Sequence, residues 1–314
     1  MEAITPVAPQ NGAPFSYDPS GEKPYFPLAG ISTTAATPST VQFDNLKQNI
    51  KLGLTKLQQL PEFQKIKGFD VPIAIVGGGP DLVNQLDELR KFRTIFAAGS
   101  SHDFLIKNGI IPTYAGICDP DPVGINYIQI PHVETKYLIS SGCDPLIFKH
   151  LENYPRVIWH CHSDDWLDKV NEIEPGYLGV GGGCTIGLRC LSMSLMLGYG
   201  NIHFFGFDSC LHGYTKEGYS YDLATKKEKQ DQGTIFAIKM GLGDEHGPRN
   251  SVYFCLGYHI AQAEHFKSFW ANHYNYFYPT FHGKGMLPDL INMIQKDIQA
   301  KEQTKLETEQ LKVA

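Results

Sequence analysis

The chain has 314 residues, 42% of them apolar, 19% charged, and a net charge of −6. That length suits one large α/β domain or two modest ones, and the acidic balance argues against a broad nucleic-acid surface. No run approaches the ~18 apolar residues of a membrane span, and the first residues lack a signal-like apolar core, so a soluble cytoplasmic protein is expected. The seven cysteines are scattered and never spaced C-x-x-C, which speaks against a zinc ribbon or a disulfide framework.

Residues 1–40 are rich in Pro, Gly, Ser, Thr and Ala and read as an extended or disordered arm. Over Phe43–Ile66, Leu46, Ile50, Leu54, Leu57 and Leu60 recur near helical spacing, so residues 41–70 are expected to supply an amphipathic helix. From Val71 the pattern alternates. Strands are expected at Pro72–Val76, Thr94–Ala98, Thr113–Cys118, Lys136–Ser140, Val157–Cys161 and Asn201–Phe205. Helices are expected between them at Asp81–Lys91, His102–Asn108, Pro145–His150, Asp164–Val170 and Thr185–Leu197. This alternation predicts a Rossmann-like parallel sheet with helices on both faces, forming one domain over 71–291. Ligands in such sheets bind beyond the carboxyl ends of the strands.

Residues 209–258 interrupt the rhythm with polar, aromatic and glycine-bearing sequence, as an active-site lid or a disordered loop does. A helix over Ile260–Trp270, a short strand at Tyr274–Tyr278 and a helix over Pro288–Lys305 follow, with 292–314 closing the chain as helix and tail.

Three glycine turns carry the chemistry. Gly77-Gly78-Gly79-Pro80-Asp81 follows an apolar strand, and Gly181-Gly182-Gly183-Cys184-Thr185 opens an apolar helix. Glycine lets backbone N–H groups approach a ligand, and a helix N-terminus favours negative charge. Each turn reads either as half of a phosphate pocket or as a tight turn without ligand. Neither matches a P-loop or a full dinucleotide fingerprint. Ser100, beyond the second strand, and Asp208, ending the strand Asn201–Phe205, join Gly77, Gly78, Gly79, Pro80, Asp81, Gly182, Gly183 and Thr185 as candidate nucleotide-binding residues. Asp119 and Asp121 follow a strand end, where carboxylates either hold Mg²⁺ or Mn²⁺ against phosphates or cap an Asx-Pro turn. No organic cofactor is expected. The third turn, His282–Pro288, offers Lys284 to an anion.

In this order the landmarks resemble the 6-hydroxymethylpterin diphosphokinase MptE-like family. The residues that carry the resemblance are Gly77–Leu82, Gly109–Thr113, Ile117–Pro120, Leu197–Ile202, Gly206–Asp208 and His282–Pro288. Asp81 stands where that family has serine, and Thr113 where it has aspartate. The same pattern is similar to motility-associated flagellin glycosyltransferases and to CMP-sugar-using bacterial sialyltransferases. That second likeness implies that Tyr221 supports a leaving phosphate and that His259, or else His246, deprotonates an acceptor hydroxyl. The expectation is a nucleotide-dependent transferase acting on a nucleotide or nucleotide sugar. Sugar transfer to a hydroxyl ranks ahead of diphosphate transfer from ATP to a pterin, because the tyrosines and histidines after Asp208 suit a leaving phosphate and an acceptor hydroxyl, while Asp81 weakens a triphosphate cradle at the first loop. A non-catalytic binding or assembly protein is the rival from another class. Donor base, acceptor and oligomeric state are not written in the sequence.

Overall fold

The computed structural model describes residues 38–65, 67–162, 164–211, 219–222, 227–230, 235–244, 247–273, 276–296 and 303–304. The arm up to residue 37 and His246 lie outside these.

Strands β1 (Gly68–Val76), β2 (Ile95–Ala98), β3 (Tyr114–Ile117), β4 (Lys136–Ser140), β5 (Arg156–Cys161), β6 (Gly179–Val180) and β7 (Tyr199–Phe205) belong to one sheet. Two antiparallel pairs follow, β8 (Tyr219–Asp222) with β9 (Lys227–Gln230) and β10 (Ile235–Asp244) with β11 (Gly247–Leu256). Strand β12 (Tyr278–Phe281) completes the sheet, whose order is β12-β7-β1-β2-β3-β4-β5-β6. Every pairing in it is parallel. The chain therefore runs outward from β1 to β6 and then returns to the other side of β1. The order reverses between β1 and β7, and a crevice opens at such a point.

The helices are α1 (Ser39–Ile50), α2 (Leu86–Leu89), α3 (His102–Lys107), α4 (Pro145–His150), α5 (Asp164–Ile173), α6 (Ile186–Met196) and α7 (Gly257–His273). Side chains alternate across each strand, so the sheet feeds two cores. Ile73, Ile75, Phe96, Leu138, Trp159 and Phe204 pack with Leu188 and Leu191 of α6 and with Ile260 and Phe266 of α7. Ala74, Val76, Ala97, Ile117, Ile139 and Phe205 pack on the other face with Phe104 and Leu105 of α3 and with Ile147 and Phe148 of α4. Burial on both faces explains why these strands read as continuous apolar runs.

Four elements differ from expectation. The helix expected over 43–66 stops at Ile50, and Gly53, at φ +60, turns the chain where a left-handed residue ends a helix. Leu57 and Leu60 are still buried, but from a 3₁₀ turn at Leu57–Gln59 and its edge. The helix expected over Asp81–Lys91 is broken into a 3₁₀ turn, Pro80–Asn84, and the single turn α2. At the break, the Gln85 side chain accepts the Gly206 N–H (3.2 Å). Within 209–258 the described residues 219–222, 227–230, 235–244 and 247–256 form strands: β10 and β11 pair over ten residues each, and Leu211 bridges to Phe254. The strand expected at Tyr274–Tyr278 falls at Tyr278–Phe281. The helix expected over Pro288–Lys305 is helical at 286–296 and 303–304, its described residues.

Candidate functional site

The turn after β1 is shaped first by its contact with β7. Gly77 N–H donates to Phe205 O and Gly79 N–H to Gly206 O, both at 2.8 Å. A Cβ on either glycine would lie 2.6 Å from Gly206 O, and one on Gly79 would also lie 2.7 Å from the Asp208 carboxyl carbon. These two glycines are required by backbone approach, and their N–H groups are already committed. Gly78, between them, faces Ser100, whose Oγ would sit 2.4 Å from an added Cβ.

A real helix N-terminus arrives from the second turn. Thr185 caps α6, its Oγ1 accepting Leu188 N–H (3.4 Å) and the Gln262 amide of α7 (3.2 Å). The first N–H groups of a helix have no intrahelical acceptor. Here they belong to Ile186 and Gly187, which line the crevice. Gly187 cannot carry a side chain, because its Cβ would meet the Phe207 ring at 2.6 Å. Residues at spacing three on α7 serve this turn together. Gln262 reaches Thr185, and His265 Nδ1 accepts Cys184 N–H (3.1 Å).

The floor of the crevice is Asp208, 1% exposed. Its Oδ2 accepts Asp81 N–H at 2.8 Å, and its carbonyl accepts Leu287 N–H at 3.3 Å. Burial, reinforced by the Asp81 charge, pushes its carboxyl up to about 7, against the lowering pull of the Asp81 N–H. The Asp81 side chain turns elsewhere: Oδ2 accepts Lys284 N–H (2.9 Å) and the Gln85 amide (3.1 Å), and Oδ1 the Asn84 amide (2.8 Å). The third glycine turn is thereby clamped onto the first. Gly285, at φ +156, lies so close that a Cβ would be 2.4 Å from Asp208 O.

Two adjoining lobes make up the cleft. The first, about 310 Å³, is lined by Gly77, Gly78, Gly79, Pro80, Ser100, Thr185, Asp208 and His259 among the expected residues. Sequence reasoning did not single out Tyr127, Phe207, Ser209, Tyr258 or Gln262, which line it too. The signal for Gln262 was available in the His259-Ile260-Ala261-Gln262-Ala263-Glu264-His265 spacing, which puts three polar residues along one helix. The second lobe, about 510 Å³, contains Asp119, Gly183, Cys118 and Arg189, and shares Ser100, Tyr127, Thr185 and Ile186 with the first. Asp81, Gly182 and Asp121 are not among the lining residues of either lobe. Tyr221 is placed by its backbone alone, on β8.

His259 Nδ1 accepts Leu256 N–H (3.2 Å). From that hydrogen bond the neutral ring is assigned its proton on Nε2, so its other polar edge is a donor.

The two aspartates after β3 adopt the Asx arrangement. Asp119 Oδ1 accepts Asp121 N–H (3.1 Å), and Asp121 Oδ1 caps the following 3₁₀ turn at Val123 N–H (3.0 Å). Burial, with a smaller push from Asp121, raises the Asp119 carboxyl above its ordinary range. Among the described residues no group of three or more His, Cys, Asp or Glu side chains is assembled to hold a metal ion. Mg²⁺ sites often use only one or two carboxylates plus substrate phosphates. Of the two aspartates, Asp119 lines the second lobe.

A parallel sheet with its crevice at the β1/β7 reversal, beside one capped helix N-terminus, defines a Rossmann-like α/β protein. The chain matches the 6-hydroxymethylpterin diphosphokinase MptE-like family over residues 41–213, more than half its length, and belongs to that family. Among solved structures it is similar to the MAf glycosyltransferase from Magnetospirillum magneticum AMB-1, with a TM-score of 0.58 and 13% identity. That match covers 79% of this chain but 37% of the neighbour, so the chain spans little more than a third of that protein's length. A mammalian sialyltransferase in complex with Gal-beta-1-3GalNAc-ortho-nitrophenol aligns over 65% of this chain and 81% of its own, at 11% identity and a TM-score of 0.34. No curated protein matches the sequence significantly. Among the described residues no helix is long and apolar enough to cross a membrane.

Proposed function

We propose that the cleft binds a nucleotide through its phosphate and that the chain transfers a glycosyl group from a nucleotide sugar to an acceptor hydroxyl. One observation carries this reading. Ile186 and Gly187 at the start of α6 line one lobe at the β1/β7 reversal together with Gly78 and Ser100. Helix N-termini there bind anions by oriented N–H groups and the helix dipole.

The first glycine turn decides between donors. It opens a five-residue 3₁₀ turn, not a helix, and Gly77 and Gly79 already donate to β7. Two carboxylates, Asp81 and Asp208, stand beside it. One helix N-terminus suits the one or two phosphates of a nucleotide sugar better than a triphosphate. His259, with its proton on Nε2, supplies a further donor to the leaving phosphate, and preorganised donors of this kind stabilise developing charge. The segment 209–258, with Tyr221 on β8, acts in this reading as the lid over the cleft.

Family membership supports a second reading, diphosphate transfer from ATP to a pterin alcohol. It requires Mg²⁺ or Mn²⁺, with Asp119 as the protein ligand. Thermal-shift titration with CMP, UDP, GDP and ATP, each with Mg²⁺, with Mn²⁺ and with chelator, separates the readings. Stabilisation by a nucleoside mono- or diphosphate in chelator supports sugar transfer. Stabilisation by ATP alone, only with metal, supports the diphosphokinase. Stabilisation by none overturns nucleotide binding and leaves an assembly role.

A further inference from the structure

The transferase reading leaves open which group takes the acceptor's proton, and the sequence likeness pointed to His259. The hydrogen bond from Leu256 N–H occupies Nδ1 and leaves Nε2 protonated in the neutral ring. In that state the imidazole has no lone pair to offer a hydroxyl. We infer that Asp208 is the general base of this cleft and that His259 is a hydrogen-bond donor to the leaving phosphate.

Four features of the fold support the assignment. Asp208 stands at the carboxyl end of β7, beside the strand reversal, and lines the same lobe as Gly78, Thr185 and His259. Its carboxylate is held in place by Asp81 N–H on Oδ2. The backbone behind it is fixed on both sides, by Gly79 N–H on Gly206 O and by Leu287 N–H on Asp208 O. A base positioned by such contacts needs no reorganisation as the proton moves.

The charged and titratable groups around Asp208 come from every neighbouring element. Asp81 lies on the turn after β1, and Cys210 two residues further along the chain. His259 lies on α7, and Asp289, on the segment 286–296, acts on Cys210. Burial, with the Asp81 charge, raises the Asp208 carboxyl toward neutrality, where a general base works best.

The step balances without a co-reactant. The acceptor hydroxyl gives its proton to the Asp208 carboxylate as its oxygen bonds to the anomeric carbon. The bond from that carbon to the phosphate oxygen breaks, and the electron pair leaves with the phosphate, which accepts a hydrogen bond from His259 Nε2–H while His259 keeps its proton. Asp208 then returns its proton to water.

This inference rests on the proposed transferase reading, and the two can fail separately. The first readout needs no substrate: ¹³C NMR of aspartate carboxyl groups in the full-length wild-type chain, titrated from pH 4 to 9. One carboxyl, correlated to the Asp208 backbone, is expected to titrate near neutral pH. Titration of Asp208 with the ordinary carboxyls overturns the inference whatever the substrate proves to be. The second readout follows hydrolysis of CMP-, UDP- and GDP-sugars by wild type, Asp208→Asn and His259→Asn. Asp208→Asn is expected to lower turnover about 10²–10⁴-fold, the usual contribution of a general base, with nucleotide affinity within about threefold. The acid limb of the wild-type rate profile should vanish in that variant. His259→Asn, which keeps an N–H donor, should retain that limb. Nucleotide binding with an unchanged limb in Asp208→Asn sinks the inference alone, whereas absence of nucleotide binding sinks the transferase reading.

Discussion

The backbone N–H of Asp81 donates to Oδ2 of Asp208 at 2.8 Å, joining the first turn of the sheet to a strand end 127 residues later. The Asp81 carboxylate then holds Lys284 N–H, so the first and third glycine turns converge on one pair of aspartates. The cleft is assembled by this pair.

Removing the Asp81 side chain should loosen the clamp. Hydrogen bonds to charged groups contribute about 1.5–3 kcal/mol, so Asp81→Ala is expected to lose about that much stability in urea denaturation. Asp81→Asn keeps an acceptor for Lys284 N–H and should lose less. Equal losses would mean that the charge, not the acceptor, is what holds the turn.

The glycines of the first turn should separate cleanly. Gly79→Ala drives a methyl against Gly206 O and the Asp208 carboxylate, neither of which can retreat, so the fold is destabilised by about 1–3 kcal/mol or more. Gly78→Ala meets only the Ser100 hydroxyl, which can rotate away, so stability holds while nucleotide affinity falls. Thermal melts alongside calorimetric titration with CMP, UDP and GDP check both; a folded Gly79→Ala with full melting temperature would contradict the packing account.

Asp208 also sets a pH dependence of stability. Its carboxyl is raised from 3.8 to about 7 in the fold, so the folded chain holds a proton that the unfolded chain releases. Its contribution is fully present below about pH 4 and is lost as pH rises towards 7. Denaturation of wild type and Asp208→Asn across pH 4–8 should therefore show the variant gaining relative to wild type over that interval. A constant difference would contradict the burial argument.

The proposed divalent-cation role of Asp119 can be tested directly. Asp119→Asn is expected to erase whatever increment Mg²⁺ or Mn²⁺ adds to nucleotide affinity, with affinity in chelator unchanged. Asp121→Asn should leave the metal increment intact, because that carboxylate caps the 3₁₀ turn. Calorimetry with and without chelator decides this, and a metal increment lost only in Asp121→Asn would reverse the assignment.

Much of the sheet could be read from the chain because its strands are buried on both faces. The strand Lys136–Ser140 and the helix Pro145–His150 have the expected bounds. The rest was hidden for specific reasons. Phe43–Ile66 kept an apolar rhythm that a turn at Gly53 and a 3₁₀ segment satisfy as well as a helix does. In α1 the buried positions include Asn45 and Asn49, whose amides bind loop carbonyls at Pro120, Ser141, Gly142 and Cys143, contacts without periodicity. The glycines at 77 and 79 looked like a phosphate cradle, yet their spacing is explained by contact with β7. That contact links residues more than 120 positions apart, as does the Asp81–Asp208 bond. The β10–β11 ribbon was masked by its polar and glycine content. The tautomer of His259 depends on one backbone N–H that no motif encodes.

The central claim is that a nucleotide phosphate sits between the start of α6 and the turn at Gly78. Amide chemical-shift mapping during titration with CMP, UDP and GDP tests it most directly. The account predicts the largest shifts at Gly78, Ser100, Ile186 and Gly187, with small changes at Gly77 and Gly79, whose N–H groups remain bonded to β7. Shifts concentrated away from the β1/β7 crevice, or none with any nucleotide, would contradict it.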